Sequence, residues 1–253
     1  MALVFLDLDG TLIDDGKPAS MVKEAIIALK ENGHIPIIAT GRIPYLLEGV
    51  KNELGIDSYI AANGSYIYHM GKVIYEKYIP KEVVKRFVDA IDELHSDMAM
   101  EGVNDYVAYR KETDLVHLFS DTFSVKYPEV DRNFYLNNEI LAFMIFEDET
   151  ALRLRSQFPE LLFNKTNQFG YDVNIKGDLK ADGVRVMLQY LNYTKDDVYA
   201  IGDGYNDISM FQAVQVGIAM GNSNQAVKNA ATYVTTSVTE NGVYNALKKY
   251  KLI

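Results

Sequence analysis

The chain has no cysteine among its 253 residues. Without a thiol, disulfide staples, thiolate metal centres and every cysteine-nucleophile mechanism are excluded, so any covalent catalysis must run through another side chain. Positive charge is also scarce: 25 Lys and Arg against 35 Asp and Glu leave a formal net charge of −10. General nucleic-acid and anionic-membrane surfaces need a basic face, so neither partner is expected. A small phosphorylated metabolite needs only a few local cations, and this balance permits it. No apolar run approaches bilayer-spanning length. Met1 to Leu6 carries no basic leader and meets Asp7 too early for a signal core, so a cytoplasmic chain is expected. His34, His69, His95 and His117 follow no metal-ligand spacing, and packing or surface roles are expected for them.

What is present has a globular composition: 48% hydrophobic and 24% charged residues argue against both disorder and a fibrous repeat. The length suits one large domain or two modest ones. Short apolar runs at Leu3 to Leu6, Ile35 to Ala39 and Tyr59 to Ala62 alternate with helical stripes, the pattern of a parallel sheet with helices on its faces. Ser20 is the expected N-cap of a helix carrying Val22, Ala25, Ile26 and Leu29, with Gly33 at its end. A second helix is expected from Pro44 to Leu54, stopped by Gly55. The alternation returns after Lys180, with strands at Val198 to Ile201, Val216 to Met220 and Tyr233 to Thr235. Helices are expected between them at Asp207 to Val214 and Gln225 to Ala231.

Between these α/β segments the pattern changes. A strong helical stripe from Val83 to Leu94 is followed by strand-like pieces at Tyr106 to Arg110, Ile140 to Phe146 and Tyr171 to Ile175, with a helix at Thr150 to Phe158. This mixture without strict alternation is α+β. Residues 81–178 are therefore expected to form a domain inserted between residues 1–80 and 179–253. Tyr106, Tyr109, Tyr127 and Tyr135 are expected in its core or on its surface.

Several expected core strands end in polar groups: "FLDLDG" supplies Asp7 and Asp9, "IIATGR" supplies Thr40, Gly41 and Arg42, "IAANGS" supplies Asn63 and Gly64, and "YAIGDGYND" supplies Asp203, Asn206 and Asp207. The ligand crevice of an open parallel sheet lies beyond the carboxyl ends of its strands, so these groups should meet there. Carboxylates can act as nucleophiles. Several of them converging repel one another unless a hard cation sits among them, and Mg²⁺ takes such oxygen ligands. Gly10 allows a sharp turn that Thr11 can hydrogen-bond. A calcium EF-hand is a poor fit, since a loop starting at Asp7 would place Leu12 where glycine is needed and Pro18 where glutamate is needed. A tight turn accounts for Asn63 and Gly64 without any ligand, and a turn or helix cap accounts for Asn222.

"DLDGTL", "ATGR", the helix-opening Lys180 and "GDGYND" stand in the order and approximate spacing of the haloacid dehalogenase (HAD) superfamily phosphatases, which the chain resembles over its whole length. The position of the insertion resembles the Cof-type group, subclass IIB. The resemblance implies an α/β fold: a Rossmann-like HAD core with a parallel sheet, plus an inserted α+β cap domain of the C2B type. It implies Asp7 as a nucleophile that becomes an aspartyl phosphate and Asp9 as the acid/base. It implies Mg²⁺ held by Asp7, Asp203 and the Asp9 backbone carbonyl. Thr40, Gly41, Lys180 and Asn206 would hold the phosphoryl oxygens, and Asp207 would support the metal from behind. The motif departs from the group at Lys180, which is followed by Ala181, Asp182 and Gly183 instead of directly by glycine; Asp182 is a candidate helix cap or a support for the lysine. The implied substrates are sugar phosphates, pyridoxal phosphate or nucleotides. A phosphosugar mutase and a phosphometabolite-binding sensor without turnover are the rival readings. Oligomeric state is not legible.

Overall fold

The computed structural model describes residues 1–111, 113–122, 125–166, 170–177, 180–194 and 196–253. Among them, eight strands form one sheet in the spatial order Tyr233–Val234, Val216–Ala219, Val198–Gly202, Leu3–Leu6, Ile35–Ala39, Ser58–Ala61, Tyr66–His69 and Lys72–Glu76. The first six run parallel, and the last two form an antiparallel hairpin at the edge. Leu3–Leu6 is buried at every residue, as a strand covered on both faces must be. It pairs with Ile35–Ala39 on one side and with Val198–Gly202 on the other, so strand order reverses across it. A crevice opens at such a reversal, beyond the strands' carboxyl ends.

The helices follow the expected stripes. Val22–Glu31 buries Val22, Ala25, Ile26 and Leu29 against the sheet. Its N-cap is Met21 in left-handed backbone, with no side-chain cap, so Ser20 does not take that role. Pro44–Leu54 begins with proline at its first turn and ends on Gly55 at φ 66°. The strand expected to reach Ala62 stops at Ala61, because Ala62 and Asn63 turn into left-handed backbone. The edge hairpin was not expected. Its turn residues Met70 and Gly71 both have positive φ, the requirement of a tight two-residue connection.

A second, six-stranded sheet has the order Glu129–Val130, Tyr106–Ala108, Ala99–Glu101, Ala142–Ile145, Gly170–Ile175 and Leu161–Thr166. It is antiparallel except for the pairing of its first two strands. Helices Lys81–Glu93 and Asp148–Gln157 contribute to its core, and Ile79 already belongs to that cluster, its amide donating to the Ile140 carbonyl at 2.8 Å. The molecule is thus a Rossmann-like α/β core carrying an inserted α+β unit. The expected return point at residues 178 and 179 lies outside the described residues. No described helix is long and apolar enough to cross a membrane.

Phe87 anchors the second core. It is fully buried, stacks on Phe143 with ring centroids 4.4 Å apart and meets Phe158 edge-on at 5.0 Å. Phe87→Ala is expected to cost about 3–5 kcal/mol, because surrounding rings cannot collapse fully into the space. Urea unfolding monitored by circular dichroism checks this; a cost under about 1 kcal/mol would mean that this unit does not depend on the stack.

Candidate active site

The strand ends bring the expected polar residues together. Asp7 ends the central strand, with its amide donating to the Ile201 carbonyl at 2.9 Å and its carboxylate almost wholly buried. Lys180 opens helix Lys180–Tyr190 and is 1% exposed. Its ammonium donates to Asp7 Oδ1, and to Asp207 Oδ1 at 2.7 Å. The other oxygen of Asp207 accepts from the amides of Asp203 and Gly204 at 3.0 and 2.9 Å. Asp203 accepts from Thr11 Oγ1 at 3.1 Å and from Asn222 Nδ2 at 3.4 Å. Gly10 has φ +83°, and a Cβ there would overlap the Asp203 carboxylate, so this turn requires glycine for both reasons.

Carboxylate oxygens of Asp7, Asp203 and Asp207 lie within 4.8 Å of one another. Burial, and then the Asp207 charge, raise the Asp7 carboxyl well above its usual range and push Asp203 up to about 6. Burial works against the Lys180 charge, but Asp207 and Asp7 together outweigh it and hold the ammonium protonated. One lysine therefore faces three carboxylates. Asp207 commits its oxygens to Lys180 and two amides, whereas Asp7 and Asp203 line the cavity. An all-oxygen, buried and net-negative donor set fits a hard divalent cation.

Asp9 sits on the far side of Asp7 and is gripped by both arms of the Arg42 fork, Nε at 2.8 Å and Nη2 at 2.5 Å. The Arg42 amide in turn donates to Thr40 Oγ1 at 3.1 Å. This bidentate pairing fixes the plane and direction of the Asp9 carboxylate. Arg42 was quoted in the sequence motif without a role; its i to i+2 spacing from Thr40 at a strand end was the available signal. Asn63 is a junction: it accepts from Asn206 Nδ2 at 3.0 Å and donates to Asn174 Oδ1 of the second sheet at 3.2 Å. Its left-handed φ of 53° aims it there, so it does more than make a turn.

A cavity of about 960 Å³ opens over these groups. Asp7, Asp9, Thr40, Gly41, Lys180, Asp203 and Asn206 line it, while Asp207 lies behind them. From the second sheet it is lined by Glu101, Met144, Phe163, Asn164, Lys165 and Asp172. Tyr106, Tyr109, Tyr127 and Tyr135 are not among the described lining residues. Among the described residues Asp182 neither caps a helix nor holds Lys180; it pairs with Arg185 on the surface at 2.5 Å. Thr11 reaches Asp203 in addition to its place in the turn. Asn222 ties that cluster to Val238, whose amide it accepts at 2.9 Å, and the neighbouring helix is capped by Asn224.

Residues 4–247 match the family model described as haloacid dehalogenase-like hydrolase. YkrA of Bacillus subtilis is 33% identical over 258 residues, covering 99% of this chain and 98% of that one. The 5-amino-6-(5-phospho-D-ribitylamino)uracil phosphatase YitU of Bacillus subtilis is 30% identical, covering 98% and 97%. Among solved structures, the HAD subclass IIB sugar phosphatase BT4131 superposes with a TM-score of 0.88 at 28% identity over 100% of both chains.

The raised Asp7 and Asp203 carboxyls fix the sign of a pH effect. The folded state holds their protons more tightly than the unfolded chain, so without a cation the Asp203 contribution is greatest below about pH 4 and is lost as pH rises through about 6, with Asp7 acting in the same direction. Thermal melts in chelator should show this loss, flattened in Asp203→Asn. Added Mg²⁺ should raise the melting temperature more at about pH 8 than at about pH 5, because it competes with those protons. An equal Mg²⁺ response at both values would remove Asp7 and Asp203 as its ligands.

Proposed function

The chain belongs to the haloacid dehalogenase-like hydrolase family, as a phosphoric monoester hydrolase, and on that premise we propose that it is a Mg²⁺-dependent phosphatase of small phosphorylated metabolites working through an aspartyl phosphate on Asp7. The observation that carries the reading is the pairing of two differently held carboxylates at one cavity edge: Asp7 tethered by a buried lysine, Asp9 aimed by an arginine fork.

In the first step Asp7 forms a bond to phosphorus while the bond to the leaving oxygen breaks, and that oxygen takes its proton from Asp9. In the second, Asp9 removes a proton from water as the water oxygen attacks phosphorus, which releases Asp7 and inorganic phosphate. Thr40, the Gly41 amide, Lys180 and Asn206 hold the equatorial phosphoryl oxygens in both steps. Asp7, Asp203 and the Asp9 carbonyl would hold Mg²⁺, which supplies positive charge to offset phosphoryl charge in a loose transition state. Asp207 keeps Lys180 and the Asp203 turn in place. Residues 81–178 act as a lid on the core formed by residues 1–80 and 179–253, excluding bulk water and selecting the leaving group. A cytoplasmic location belongs to the same reading. Sugar phosphates are the favoured substrates, with pyridoxal phosphate and nucleotides as the further classes to test.

Inorganic phosphate release should be measured over a panel of phosphorylated sugars, nucleotides and cofactors, with Mg²⁺ and with chelator. Release is expected only with Mg²⁺ and should fall by at least about 10³-fold in Asp7→Asn, a loss of roughly 4 kcal/mol of transition-state stabilisation. Ordinary turnover in a purified Asp7→Asn protein would defeat the nucleophile assignment, and an isomerised sugar phosphate in place of free phosphate would make the enzyme a mutase.

Arg42 acts through Asp9. Arg42→Lys keeps the charge but loses the fork, and is expected to lower kcat by roughly 10-fold or more with little change in KM, together with a shifted acid–base limb of the pH–rate profile. A change in KM alone would place Arg42 on the substrate instead.

A further inference from the structure

The lid presents acid to the cavity. Glu101, at the end of strand Ala99–Glu101, is 6% exposed and lines the cavity, yet its carboxyl has no hydrogen-bond or ion-pair partner among the described residues. Asp172, on strand Gly170–Ile175, lines the same wall and interacts electrostatically with Glu101. The two strands flank Ala142–Ile145, which pairs with both; Glu101 stands opposite Ala142 and Asp172 opposite Met144, so the acids project from one face of the sheet with a strand between them.

Their placement relative to the core identifies what they face. A Cβ on Gly41 would lie 3.2 Å from Asp172 Oδ2, so this carboxyl overhangs the loop assigned to the phosphoryl group. Asp172 also feels the Asp9 charge. The leaving oxygen must lie beside Asp9, and the first atoms beyond it therefore come under Asp172 and Glu101. Met144 and Phe163 supply apolar surface on the same wall.

Resting on the phosphatase reading above, we propose that the Glu101–Asp172 pair is the specificity determinant for the leaving group: it receives the neutral hydroxyls of a polyhydroxylated leaving group and rejects leaving groups that carry a second anion. A buried carboxyl without a protein partner is costly unless a ligand completes its hydrogen bonds, and hydroxyls can do so without adding charge. Burial raises both groups, Glu101 to about 8 and Asp172 to about 7, so near neutrality Glu101 keeps its proton while Asp172 is partly ionised, and the pair can donate as well as accept while still carrying negative charge, which matches adjacent hydroxyls. A second phosphate or carboxylate placed there would meet negative charge in a desolvated pocket, a penalty that acts as a filter against such partners.

Binding separates this proposal from the catalytic one. Calorimetric titration of the Asp7→Asn protein with Mg²⁺ should give glucose phosphate and glycerol phosphate affinities at least about tenfold above those of fructose bisphosphate and phosphoglycolate. The isosteric Glu101→Gln/Asp172→Asn change in that background should shrink the preference to within about threefold, chiefly by admitting the dianionic ligands. An Asp7→Asn protein without the double change that binds fructose bisphosphate or phosphoglycolate as tightly as the neutral-tailed esters overturns the proposal with no reliance on the double variant's folding. So does a preference that survives the double change, or a tenfold preference for glucosamine phosphate over glucose phosphate, which would make the pair an ammonium site. Selective binding with no phosphate release from any ester in the wild type would keep this inference and sink the hydrolase; release without selectivity would do the reverse.

Discussion

Everything at the catalytic edge depends on one buried cation. Lys180 has essentially no contact with solvent and touches both Asp7 and Asp207. A lone ammonium in that position would lose its proton, and a lone pair of aspartates would keep theirs. Asp7 and Asp207 together hold the ammonium protonated, and the geometry follows from this. Lys180 begins a helix that packs Ala181, Val184, Met187 and Leu188 into the core, so it is supplied by a rigid element. Asp207 begins another, and its second oxygen gathers the Asp203 and Gly204 amides into the turn that presents Asp203. Breaking the ion pair would free the turn as well as the charge, because the same carboxylate serves both.

The remaining excess of negative charge is a functional strain. Burial first, and then the neighbouring Asp207 charge, push Asp203 up to about 6 and Asp7 higher than an aspartate normally stands. A site made more stable by full internal compensation would have no affinity left for a divalent cation. Incomplete neutralisation is thus what makes the pocket a receptor, in the same way that misfit groups elsewhere in proteins mark functional positions.

Much of this was legible before any coordinates. Strands buried on both faces give continuous apolar runs, which is why Leu3–Leu6 and Ile35–Ala39 could be bounded to the residue, and Pro44 and Gly55 bracket a helix by backbone chemistry alone. The edge hairpin was missed because Lys72–Glu76 has no buried residue and the short aromatic strand Tyr66–His69 follows directly on a turn. The cap at Met21 could not be read, since no side-chain hydrogen bond marks it. Within the site, motifs announced residue types but not their partners. Nothing in the sequence says that Arg42 reaches Asp9 across 33 positions, or that Asn63 bridges Asn206 and Asn174. Side-chain pairing across a sheet edge is a tertiary property, set by strand order and not by spacing.

The bridge through Asn63 also bears on how lid and core are coupled. Asn206 lines the cavity from the core and Asn174 belongs to the second sheet, and one amide side chain hydrogen-bonds both. Asn174 is fully buried and keeps its own Nδ2 without a partner among the described residues, so the closed contact is not saturated. An amide relay is directional: if Asn206 turns toward a bound phosphoryl oxygen, Asn63 loses a donor and its hold on Asn174 is altered. A change at Asn206 is thus passed to the second sheet through one amide side chain, beside the Asp172 carboxylate that Asn63 also reaches.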